Sequence, residues 1–282
     1  MFALRRGLSL GLRGLSSRPA VCAAFASAAS AAVGSSADCA SWFSQGSSMP
    51  TSGWTLTYFP VPGMPGEVQR ILLALSGWEW KDERVPGSKW PAIKPTTKYG
   101  QMPVLTNADG KSMSQSHAMS RYLAKGITVD GAKLYPDDAW LAFQVDEFID
   151  TIDEVRAKNI LPTFAIKDQS EKEKARAALF ATDGTGMIFE GLKRVESQIA
   201  SDSGYIVGKH LSLADVWVFV TIQAMRSGFL DGIPRDGWLD KLPKLKASVE
   251  KVAAQPAVQA YVKKHGESTS FPGPIYKSFG SP

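Results

Sequence analysis

The sequence predicts two joined domains of different class, a small α/β domain followed by an all-α one. Three observations carry this expectation. Residues 52–127 alternate between short strand-like and helix-like runs, residues 138–265 keep helical periodicity throughout, and a stretch from Ile127 to Asp137 with Gly131 and Pro136 separates them. At 282 residues the chain is long enough for two modest cores.

The elements follow in order. Trp54 to Phe59 alternates and stops at Pro60, which suits a short strand. Glu67 to Ser76 sets Val68, Ile71, Leu72 and Leu75 at helical spacing, and Gly77 closes the helix. Glu79 to Val85 reads as a second strand. Met102 to Thr106 and Lys111 to Met113 flank Ala108-Asp109-Gly110, a turn signal that makes a β-hairpin. Gln115 to Lys125 is then helical and ends at Gly126. In the second domain the periodicity predicts helices near 139–158, 172–200, 213–227, 242–253 and 256–264. Gly184-Thr185-Gly186 lacks the strand and third glycine of a dinucleotide loop and reads as an interruption near a helix start. Ser212-x-x-Asp215 is a capping box, with Leu211 and Val216 as its hydrophobic staple, and so a folding element. Residues 266–282, with three prolines and three glycines, read as an extended tail.

Charge and cysteine usage narrow the chemistry. Arg5, Arg6, Arg13 and Arg18 fall in the first 37 residues, where no acid stands. The remaining 28 basic residues face 26 of the 27 acids, so the net charge of +5 is a property of the leader and gives no nucleic-acid footprint. Residues 1–50 read as a transit peptide or disordered leader: Phe2, Leu4, Leu8, Leu12 and Leu15 lie near one helical face with the arginines elsewhere. The expected destination is the mitochondrion, with a plastid as the alternative and a cytosolic form if translation starts at Met49. No run of 18 strongly apolar residues predicts a membrane span. Cys22 and Cys39, the only cysteines, both precede the folded region, so a thiol reaction there needs a thiol that arrives with a substrate. His117, His210 and His265 have no ligand or triad spacing, and no metal is expected.

Several short islands remain. Tyr58-Phe59 ends the first strand. Trp90 and Lys94, four apart, share a face of one helical turn, or else are an exposed loop tryptophan and a solvated lysine. Gln101-Met102-Pro103-Val104 puts a proline at a strand entrance, where an edge position is the ordinary outcome. Gln115-Ser116 opens a helix, where backbone N–H groups and a hydroxyl favour an anion; Ser114 or Ser116 also serves as a plain N-cap. Asp146, Glu147, Asp150, Asp153 and Glu154 form a stripe that is either a cation site or a solvated face.

In order and spacing these islands resemble the glutathione transferases, most closely the sigma class, over roughly Trp54 to His265. The resemblance implies a thioredoxin-like N-terminal domain and an all-helical C-terminal domain. It also implies glutathione as co-substrate, a small hydrophobic electrophile as second substrate, and a homodimer. Tyr58 would be the catalytic residue. A free thiol of pKa about 8.5 is only a few per cent thiolate at neutral pH. A phenol O–H donating to the sulfur favours the thiolate, and a shift of about 2 units needs about 2.7 kcal/mol, within reach of one or two such bonds in a dry site. Trp90 and Lys94 would meet the glycine end of glutathione. Gln101, Met102 and a cis Pro103 would pair with its cysteinyl backbone, and Gln115 and Ser116 would hold its γ-glutamyl carboxylate. Asp153 would reach the α-amino group bound in the partner subunit. The electrophile would lie between the domains, where Phe59, Met64 and aliphatic side chains of the helical domain are candidates.

The loop after Tyr58 departs from that pattern. Pro60 to Glu67 is one residue longer than usual, Met64 or Pro65 stands where a supporting arginine is expected, and Gly66-Glu67 replaces the family's Ala-Glu. The expected activity is conjugation of hydrophobic electrophiles, or peroxide reduction or prostaglandin-type isomerisation, with detoxification as the default role. The alternative is a non-catalytic carrier of glutathione or hydrophobic ligands, or a crystallin-like structural relative.

Overall fold

A computed structural model describes residues 49–63, 65–200 and 202–266; the leader through Ser48, Met64 and the tail beyond Gly266 lie outside the described residues. The first strand, β1 (Trp54–Tyr58), buries Trp54, Leu56 and Tyr58 on one face, as its alternation requires. Helix α1 (Gly66–Ser76) ends on Gly77 in the left-handed conformation at φ 66°. It returns the chain to β2 (Trp80–Arg84), which pairs parallel to β1 from Trp54↔Trp80 to Tyr58↔Arg84. A parallel pair needs such a crossover. β3 (Val104–Thr106) lies antiparallel on the other side of β1, and β4 (Ser112–Met113) closes the hairpin, giving the order β2-β1-β3-β4. β2 is an edge strand, and its sequence WKDER discourages pairing with another chain.

Between β2 and β3 the chain makes the short helix α2 (Trp90–Ile93), flanked by single 3₁₀ turns. The Met102–Pro103 peptide is cis. Helix α3 (Ser116–Gly126) completes the domain. The expected linker is more ordered than its sequence suggests: β5 (Thr128–Val129) and β6 (Ala132–Lys133) form a two-residue hairpin turning on Asp130 and Gly131, both at positive φ. Strands of two residues are too short to show a period.

The second domain is helical: α4 (Ala139–Asn159), α5 (Gln169–Leu179), α6 (Met187–Gln198), α7 (Leu213–Arg226), α8 (Pro243–Ala253) and α9 (Pro256–Gly266). The helical run expected over 172–200 is two helices, parted at the Gly184-Thr185-Gly186 interruption the sequence marks. Asp183 Oδ1 accepts the Thr185 N–H at 3.0 Å, and Gly186 packs where a Cβ would stand 2.3 Å from the Ala181 carbonyl oxygen. Side-chain capture of the backbone and a closely approached glycine stop the helix there.

α7 is apolar nearly all round and runs through the core, as such a helix must. Its first turn is fixed by Asp215, whose carboxylate accepts from Ile206 N, Ser212 N, Ser212 Oγ and Ser248 Oγ at 2.6–2.9 Å. The two domains share one continuous core. Trp217 of α7 donates to Ser120 Oγ of α3, and Tyr261 of α9 donates to Glu67 Oε1 of α1 at 2.8 Å. The observed architecture is thus the expected one, a thioredoxin-like domain followed by an all-helical domain.

Candidate active site

Tyr58 closes β1 and is almost completely buried. Its ring covers the start of α1 so closely that a Cβ on Gly66 would lie 2.1 Å from ring atom Cδ1. Burial pushes the phenol up to about 12, against the opposing pull of Arg70, Arg156 and the Gly66 N–H. Tyr58 therefore stays a neutral O–H donor at any physiological pH.

The loop beneath it is held by an ion network. Arg70 of α1, wholly buried, donates from Nε to Asp82, from Nη1 to Glu67 and the Val61 carbonyl, and from Nη2 to the Phe59 carbonyl, all at 2.8–3.1 Å. The guanidinium also stands 5.5 Å from the centre of the Tyr58 ring. Two backbone carbonyls of the loop after Tyr58 are thus tied to one side chain. Glu67 is held up in pKa by its burial, with Arg70 and the Tyr261 hydroxyl pulling it down.

From Tyr58 the islands continue as one groove. The Phe59 ring meets Tyr58 at 5.5 Å and Trp90 at 5.8 Å, both edge-on. Lys94 hydrogen-bonds back to the Trp90 carbonyl, so both lie on the same turn. Its stem runs beside Gly100, immediately before Gln101. The Gln101 amide oxygen accepts a long bond, 3.4 Å, from Gln115 Nε2. Gln115 carries φ 74° and ψ 103°, an uncommon conformation for a residue with a side chain. Such outliers cluster at ligand sites. Ser116 is the first residue of α3, and its carbonyl accepts from the buried Gln69 of α1 at 2.8 Å. Among the described residues the Met102 N–H and carbonyl have no backbone partner. The groove therefore offers a strand-like backbone edge between an ammonium, Lys94, and a helix N-terminus. That set suits an extended peptide with two carboxylates.

Asp153 is engaged within its own chain, beside the start of α3. Its Oδ1 accepts from Arg156 Nε at 2.8 Å and lies 2.6 Å from Nη2, while its Oδ2 is 3.6 Å from His117 Nε2. The rest of the acidic stripe is largely paired: Asp146 and Asp150 with Arg121, and Glu154 with Lys158. No metal-binding cluster occurs among the described residues.

An apolar cavity lies against the loop that follows Tyr58. Val61 and Gly63 face Ile160 and Phe164 from beyond α4, and Met225 and Phe229 from the end of α7. One charged side chain, Arg156, joins its lining. Sequence reasoning singled out the loop that holds Val61 and Gly63 and expected aliphatic side chains of the helical domain, but named none of the helical-domain residues. Phe59, the aromatic it offered, turns to Trp90 instead, and Met64 lies outside the described residues. A cation one turn before the end of a helix otherwise rich in acids was the available signal for Arg156.

Comparison with known proteins agrees with this architecture. A family model described as the C-terminal domain of glutathione S-transferase matches residues 156–265. The chain is 32% identical to a probable glutathione S-transferase 7 of Caenorhabditis elegans over 215 residues, covering 74% of this chain and 95% of that one. It is 35% identical to the hematopoietic prostaglandin D synthase of Gallus gallus over 211 residues, covering 75% and 96%. Among solved structures, prostaglandin synthase D of Nilaparvata lugens is similar with a TM-score of 0.63 and 31% identity, covering 75% of this chain and 98% of the other.

Proposed function

The chain belongs to the glutathione S-transferase family, and we propose from that premise how its groove and cavity divide the work. Glutathione lies along the groove. Lys94 and Trp90 receive its glycine end, the Met102 backbone pairs with its cysteinyl residue beside Pro103 and Gln101, and Gln115 and Ser116 take the γ-glutamyl carboxylate. The electrophile occupies the apolar cavity. The thiol proton leaves to solvent, the sulfur electron pair forms the new S–C bond, and the leaving group departs with the pair of the bond that breaks. Tyr58 donates its O–H to the sulfur throughout and transfers no proton, which fits a phenol whose burial holds its pKa far above neutrality.

The single observation that carries this reading is the continuity from Tyr58 through Phe59 and Trp90 to Gln101, Gln115 and Ser116. Relatives named prostaglandin D synthases support glutathione-dependent isomerisation as a second activity of the same site. We assign the chain to the sigma class, as a homodimer with a detoxifying role. The exposed, stacked pair Trp140 and Phe143 on α4, 5.2 Å apart, supports a partner surface there. Residues 1–50 direct it to the mitochondrion, with a plastid as the alternative, which a fluorescent protein fused behind them tests directly. The loop after Tyr58 favours the carrier reading as the competitor, because it brings no cation to the thiol.

Conjugation of glutathione to a generic aryl halide, with the Tyr58→Phe variant and glutathione affinity measured alongside, separates the two. Turnover that falls at least tenfold in the variant while binding is kept supports the transferase. Binding without turnover in either protein supports the carrier.

A further inference from the structure

A thiolate in a poorly hydrated site needs more than one neutral donor, and positive charge close by is the usual supplement. The loop from Phe59 to Pro65 offers none. Two cations act on the Tyr58 hydroxyl, Arg70 and Arg156. Arg70 is committed to Asp82, Glu67 and the carbonyls of Phe59 and Val61, and it holds the loop from behind. Arg156 is placed differently. It comes from α4, lines the cavity opposite Val61 and Gly63, and its side chain is 16% exposed. Asp153 holds it by Nε and Nη2 only, and Nη1 makes no hydrogen bond among the described residues. Asp153 is itself backed by His117, which stacks on buried Trp217 at 4.4 Å, so the guanidinium stands at the end of a packed chain.

We propose that Arg156, reaching in from the helical domain, supplies the positive charge that stabilises the glutathione thiolate, with Asp153 as its positioning residue. This rests on the transferase reading and adds a residue to it. Arg156 gives and takes no proton: the thiol proton leaves to solvent, the sulfur pair attacks the electrophilic carbon, and the leaving group departs with its bonding pair. Pairing with Asp153 makes the group a fixed dipole, so its pull on the thiol is about one pKa unit, below that of a bare cation at contact.

The test is an ultraviolet titration of bound glutathione thiolate, with kcat/KM for an aryl halide followed against pH, on the full-length protein. Arg156→Met should raise the apparent thiol pKa by about one unit and lower kcat/KM near neutrality about tenfold. The deficit should close at high pH, glutathione Kd should stay within about twofold, and Arg156→Lys should recover most of the loss. Arg156→Gln serves if the methionine variant does not fold. An unchanged thiol titration in a folded variant that still turns over overturns the proposal and leaves the transferase reading intact. So does a loss that is constant across pH and confined to carboxylate-bearing electrophiles, which would make Arg156 a reader of the second substrate. A wild-type protein that binds no glutathione overturns both.

Discussion

Gly66→Ala returns to the family pattern the residue this chain lacks, and the structure says that it should do harm. The added Cβ would lie 2.1, 2.4 and 2.6 Å from three atoms of the Tyr58 ring, where ordinary contact begins at 3.4 Å. The ring, or the start of α1, must retreat by about 1.3 Å. Neither gives easily, since the ring is buried and the loop is fixed by Arg70 through the Phe59 and Val61 carbonyls. Overpacking of this kind costs about 1–3 kcal/mol of stability. For catalysis the displacement matters more: a donor moved by about 1 Å from its acceptor costs up to about 10²-fold in rate. The expectation is a fall of about ten- to a hundredfold in kcat for aryl-halide conjugation. Glutathione affinity should be nearly unchanged, because Lys94, Met102 and Ser116 lie elsewhere. Thermal unfolding should come a few degrees lower. Steady-state kinetics, calorimetric titration and a melting curve on the purified variant read all three. Wild-type kcat and an unchanged melting temperature would show that Tyr58 does not sit over the helix start, and the account of the lengthened loop would fall with it.

Three further outcomes follow from the buried polar groups. Arg70→Met breaks the buried ion pair to Glu67 and removes the donor from the Phe59 and Val61 carbonyls, and should cost about 3–5 kcal/mol in urea unfolding. Glu67 already has a raised pKa, so the deficit should shrink as pH falls and the carboxyl takes up a proton in the folded variant. Asp215→Ala strips four donors of their acceptor and should cost about 2–4 kcal/mol, with activity per folded molecule retained. His265, packed on Tyr261 and near Arg84, Asp82, Lys264 and Arg70, is held down to about 4 by burial and then by Arg84. A histidine with a depressed folded-state pKa contributes stability that is complete above about 6.5 and lost as pH falls toward 4. The urea midpoint should therefore drop across that window, less steeply in His265→Gln, with His117 contributing part of the remaining slope.

The backbone plan was legible because each large element had its own period or punctuation. α1 shows its apolar spacing and its closing Gly77, and α7 its capping box and apolar run. What escaped was decided by contacts distant in sequence. The break between α5 and α6 falls where Gly184-Thr185-Gly186 marks an interruption, but how far it parts the helices depends on Gly186 lying against Ala181, a contact the spacing does not display. The groove residues came from short islands whose meaning lay in their order. The cavity had no such signature, because Ile160, Phe164, Met225 and Phe229 are ordinary apolar residues until the helical domain gathers them against Val61 and Gly63. Arg156 stands on a helix whose acids drew the attention, and its own place at the cavity follows only from the packing of that helix. Gly66 could be read as a departure from Ala, but only the position of the Tyr58 ring gives the departure a steric reason.

The bond from Tyr261 to Glu67 joins residues 194 apart in the chain. Its oxygen acceptor is the same carboxylate that meets Arg70, and Arg70 in turn holds the carbonyls on either side of Pro60. The turn that follows the reactive tyrosine, one of the first pieces made, is thus finished by one of the last. On a ribosome, a chain that stops short of residue 261 carries every groove residue, yet its Glu67 lacks the Tyr261 hydroxyl bond beneath the tyrosine. Maturation of this protein should accordingly be late and abrupt, with glutathione capture arriving when the ninth helix emerges from the exit tunnel and docks, rather than growing domain by domain as synthesis proceeds.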